Sequence, residues 1–64
     1  MENNVIKLMQ RMGDVLESCE IEAVKFVDGN KSAGTRLRKH MQLVKEFAQA
    51  VRKEVQEQKN TVAA

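Results

Sequence analysis

Proline, tryptophan and tyrosine are absent from this 64-residue chain, phenylalanine occurs twice and cysteine once. With so few aromatics a self-sufficient globular core is hard to build, and stacking on single-stranded bases is not expected. One cysteine cannot close an internal disulfide, which agrees with a reducing compartment. Cys19 falls on an apolar stripe, where it reads as a small buried hydrophobe; an intermolecular disulfide or a redox role is the alternative. No apolar run reaches membrane-spanning length, and no basic flank leads into an apolar run at the N-terminus, so neither a membrane span nor a signal peptide is expected. His40 is the lone histidine, no pair of residues has metal-ligand spacing, and Gly29 and Gly34 follow a helix and not a strand. These absences predict no catalysis, no metal or other cofactor, and no small-molecule substrate.

What is present favours helix: abundant Glu, Lys, Gln, Val, Met and Leu, with only three glycines. Val5, Met9, Met12, Leu16, Cys19, Ala23 and Phe26 recur at steps of three and four, and so do Leu37, Met41, Val44, Ala48, Val51 and Val55. Each half therefore predicts an amphipathic helix with a coiled-coil seam. The two rhythms are out of phase, since carrying the first one through would put His40 on the seam in place of Met41. The break coincides with Asp28, Gly29 and Asn30: glycine suits a left-handed closing residue and asparagine a helix N-cap. The expectation is an all-α, two-helix antiparallel hairpin over residues 1–59, with helices over 4–28 and 31–59 and a turn at 29–30. A frayed tail is expected over 60–64. Gly34 weakens the start of the second helix, which leaves room for a longer loop capped by Thr35.

The first helix is apolar around more of its circumference than one neighbour can cover. Leu8, Val15, Ile21 and Val24, with Leu43 and Phe47 on the second helix, are the candidate oligomer interface. Pairing two hairpins as a homodimer would give a four-helix bundle.

Charge is split between the halves. Residues 1–28 hold three basic against six acidic side chains, and residues 29–64 hold eight against three, so a modest overall +2 conceals −3 and +5. Lys31, Arg38, Lys45, Arg52 and Lys59 stand seven residues apart, which on a helix makes a basic stripe about 42 Å long. Arg36, Lys39 and Lys53 stand beside it. A bland reading pairs this stripe with acids of the first helix or of a partner. A second reading starts from Lys31, Arg36 and Arg38 near a helix N-terminus, where cations oppose the dipole and only a bound anion reverses the sign. Gln42, Gln49 and Gln56 on the same face add hydrogen-bonding groups suited to a phosphate backbone.

The run Gly29, Asn30, Lys31, Ser32, Ala33, Gly34, Thr35, Arg36, Leu37, Arg38, Lys39, followed by a helix with Glu46, Phe47, Arg52 and Lys53, resembles the helical module of the bacterial linker-histone-like proteins. That family includes the chlamydial histone-like nucleoid protein. The resemblance spans about residues 28–59 and implies sequence-independent DNA binding and chromosome organisation, in the cytoplasm at the nucleoid or inside a virion for a viral source. Lys31, Arg36, Arg38 and Lys39 match the family's basic turn. The chlamydial protein's Lys- and Ala-rich tail does not follow Ala64, so weak phosphate-backbone binding is expected in place of strong condensation. The rival expectation is a structural subunit or clip in a larger protein assembly, such as a virion or scaffold.

Overall fold

The computed structural model describes residues 3–62, which form α1 (Asn4–Val27) and α2 (Lys31–Val62) and pack as an antiparallel hairpin. Asn3 opens α1 in an extended conformation, its side chain accepting the Val5 N–H at 2.8 Å, which satisfies one of the amides that a helix start leaves unpaired. At the other end Gly29 takes φ +108°, its N–H donates to the Phe26 carbonyl, and the Asn30 N–H donates to that of Lys25. This paired closure puts the left-handed residue where only glycine sits without strain. Asn30 then caps α2, its side-chain oxygen accepting the Ala33 N–H at 3.1 Å. One residue thus finishes the first helix and starts the second.

α2 continues to Val62, so Asn60, Thr61 and Val62 are helical where a frayed tail was expected. Ala63 and Ala64 lie outside the described residues. Thr35 is inside the helix, which removes the longer loop. Gly34 has a tertiary reason to be glycine, because a Cβ there would meet the Phe26 ring at 2.7 Å. The aromatic ring lies across the first turn of α2 and lets the helices converge beside the tight turn.

The two helices make a plate of 54 × 20 × 11 Å with a radius of gyration of 15.3 Å, well above the roughly 11 Å of a compact chain this long. Only Cys19 (5 % exposed) and Ala33 (0 %) are buried apolar residues among those described, and Glu22 (8 %) is the buried polar one. The core is one seam deep.

That seam differs from the one the periodicity predicts. The α1 residues turned inward are Val5, Leu8, Met12, Val15, Cys19 and Glu22, while Met9, Leu16 and Phe26 are exposed. On α2, His40 and Phe47 are half-buried while Met41 and Val55 are exposed. Each helix is rolled by roughly 40° from its expected face, a fraction of the 100° that separates successive residues. Both stripes of α1 obey the same three-and-four spacing, so apolar rhythm alone cannot choose between them. Polar contacts distinguish the observed one. The Arg36 guanidinium donates to the Glu22 carboxylate between the helices. At the open end, Asn3 and Gln58 exchange amide hydrogen bonds of 2.8 and 2.9 Å, and Asn4 donates to Glu54 at 3.4 Å. These contacts put residues level across the hairpin when their numbers add to about 60.

Candidate nucleic-acid interface

α2 is 32 residues long and holds all eight cations of the second half. With its inner side against α1, the seven-residue ladder Lys31, Arg38, Lys45, Arg52 and Lys59 falls on the side away from the seam, and every member is exposed. A straight α-helix has 3.6 residues per turn, so a seven-residue repeat drifts by about 20° per step. Over four steps the ladder turns through about 80°, from the back of α2 at Lys31 toward its edge at Lys59. Lys39 and Lys53 are also exposed, as are Gln42, Gln49 and Gln56. Thr35, Arg38, Lys39 and Gln42 line a shallow open groove near the turn.

Arg36 pairs with Glu22, as does Lys25 at 3.8 Å, and Glu57, one turn on from Lys53, is itself engaged. Glu46 and Glu57 are exposed on the edge of α2 that also carries Lys39 and Lys53, about 100 to 120° from the middle of the ladder by helical spacing. The arrangement suits a polyanion: seven long cationic side chains in water, arrayed along one helix, with amide side chains between them. Phosphate oxygens are met by such groups without reference to base sequence.

Arg36 separates from the other predicted contacts. Its guanidinium is engaged by a carboxylate that the hairpin has buried, so it works as an interhelical clip. The signal was present in the sequence as an acid at position 22 level with a base at 36, but it becomes visible only once the register is known. His40 is half-buried at the seam. Its Nδ1 is enclosed and has no hydrogen-bond partner among the described residues.

The candidate oligomer residues are divided. Leu8, Val15 and Phe47 are half-buried within the hairpin, whereas Ile21, Val24 and Leu43 are exposed. Leu8, Leu43 and Phe47 line a shallow groove with Glu46 and Ala50 on one broad side of the plate. Ile21 and Val24 lie on the back of α1, away from that groove by their helical position. Cys19 is a free, buried thiol. Among the described residues no three His, Cys, Asp or Glu side chains are placed to hold a metal ion, and no helix is long and apolar enough to cross a membrane.

The sequence pattern of the family described as histone H1-like protein Hc1 matches residues 6–61. That span takes in nearly all of both helices and the whole basic ladder. No curated protein and no solved structure matches the chain.

Proposed function

The chain belongs to the family of histone H1-like protein Hc1, which carries a histone-like, DNA-binding role at the nucleoid, and from that premise we propose that α2 supplies the DNA contacts. Lys31, Arg38, Lys39, Lys45, Arg52, Lys53 and Lys59 meet phosphates along a duplex without reading bases, and self-association of hairpins presents more than one such helix. The protein acts as a nucleoid accessory and takes no small-molecule substrate. What supports this reading is the exposure of these seven cations along one helix. Arg36 contributes to the shape of the site and not to its phosphate contacts.

The test is electrostatic. Fluorescence anisotropy with random-sequence duplexes over a range of salt gives a slope of log K against log salt. At about 0.9 per phosphate contact, five to seven contacts give a slope of roughly −4.5 to −6. A slope near zero, or no binding in low salt, rejects the proposal.

A second reading draws on the exposed Ile21, Val24 and Val27 of α1: the hairpin is a helical subunit in a larger protein assembly, its ladder paired with acids of another chain. Sedimentation with and without duplex separates the two. A stable species indifferent to DNA favours the subunit.

A further inference from the structure

A furrow follows the crevice between the helices on one broad side of the plate. A cavity of about 210 Å³ over Leu8, Leu43, Phe47 and Ala50 meets one of about 420 Å³ bordered by Lys7, Arg11 and Glu54, and the two share Leu8. Leu43 is 43 % exposed, so an apolar floor lies open to water. From Leu43 to Glu54 the furrow is about 16 Å long by helical rise, three turns of a helix.

Its walls are charged, and unequally. α1 holds more acids than bases, and its cations are Lys7, Arg11 and Lys25. Lys25 lies against Glu22. The other two stand one turn apart, and both border the furrow. Lys7 is the fourth residue of α1, close to the end where a cation opposes the helix dipole and costs stability. An anionic partner reverses that sign. On the α2 wall Glu46 is exposed beside the apolar end. Glu54 is tied down, accepting from Asn4 at 3.4 Å and from Gln58 at 3.2 Å.

We propose that this furrow seats an amphipathic helix of another protein, its acidic flank against Lys7 and Arg11. Apolar residues at three-and-four spacing on that helix cover Leu8, Leu43, Phe47 and Ala50, the mode in which a helix lies in a groove between two others. Charge complementarity sets which way the partner is turned. Its acids lie on the α1 side, and a base on its opposite flank meets Glu46. By helical spacing Leu43 and Ala50 stand about 140 to 160° around α2 from Arg38, Lys45 and Arg52, so furrow and ladder open to different sides. Where the proposed DNA contacts hold, the hairpin joins a helical partner to a duplex and uses no residue twice.

The test takes the full chain and a fluorescein-labelled synthetic peptide of roughly four helical turns, with leucines at three-and-four spacing and glutamates along one flank. Anisotropy should show saturable binding at micromolar protein, about tenfold weaker for a peptide with lysine in place of glutamate. Lys7→Glu with Arg11→Glu should reverse that preference. Leu43→Gln should weaken both peptides about tenfold with helical circular dichroism retained. Arg38→Gln with Lys39→Gln should leave peptide affinity unchanged. Wild-type protein held on immobilised duplex should retain the peptide. Absence of peptide binding, a preference that K7E/R11E does not reverse, or an indifferent L43Q overturns the proposal. So does sedimentation in which the peptide dissociates the protein's own oligomer, which assigns the furrow to a second copy. Displacement of the peptide by excess duplex also overturns it, assigning Lys7 and Arg11 to phosphates. The expected peptide pattern in a protein that holds no duplex overturns the DNA contacts and leaves the furrow standing.

Discussion

Removing the Arg36 guanidinium should cost the hairpin stability out of proportion to its position in a basic cluster. The Glu22 side chain is 10 % exposed and that of Arg36 47 %. Arg36→Ala leaves a buried carboxylate with Lys25 alone, at 3.8 Å on its own helix. Removing one partner of a fully buried pair costs about 3–5 kcal/mol. Here the guanidinium is half in water, and solvent can reach the vacated side, so about 2 kcal/mol is the appropriate scale. For a domain this small that lowers Tm by roughly 8–16 °C. Arg38→Ala, two residues away and without a carboxylate partner, should change stability by less than about 0.5 kcal/mol. The assay is thermal unfolding by circular dichroism at one fixed protein concentration, because association couples to stability. Glu22→Gln with Arg36→Ala should recover part of the loss, since no buried charge then remains. If Arg36→Ala and Arg38→Ala melt together, Arg36 is not a clip and belongs back among the phosphate contacts.

Gly34→Ala should lower stability by about 1 kcal/mol despite alanine's better helix propensity, because the new methyl meets the Phe26 ring at 2.7 and 2.8 Å; adding Phe26→Leu should recover part of it in the same melt. Asn30→Ala removes the acceptor for the Ala33 N–H and should cost about 1 kcal/mol, read as a lower denaturant midpoint with an unchanged m-value. Arg38→Gln with Lys39→Gln should leave Tm unchanged, weaken binding to every duplex sequence by a similar factor, and flatten the salt slope by about 1.8. A loss confined to one sequence would contradict backbone recognition.

The hairpin itself was legible from residue chemistry: two amphipathic stretches, and between them a glycine free to turn left-handed followed by an asparagine able to cap. Legibility failed at the roll of each helix. Leu8 and Met9, Val15 and Leu16, or His40 and Met41 are adjacent pairs of which either member can serve a seam with three-and-four spacing. An apolar preference picks Met41 over His40, yet the short turn and the Glu22–Arg36 contact turn His40 inward. The ladder was legible because a seven-residue interval survives any roll. Whether its members stay in water is a tertiary property, as the different fate of Arg36 demonstrates. Gly34 looked like a local weakness, and only the position of the Phe26 ring explains it.

The winding of the ladder bears on what it can grip. A row of cations that turns through about 80° along its length departs from a straight edge and suits a partner whose own charges wind about an axis, which is how the phosphates of a duplex are laid out. Under the proposed reading, the rungs at the two ends meet different stretches of that backbone.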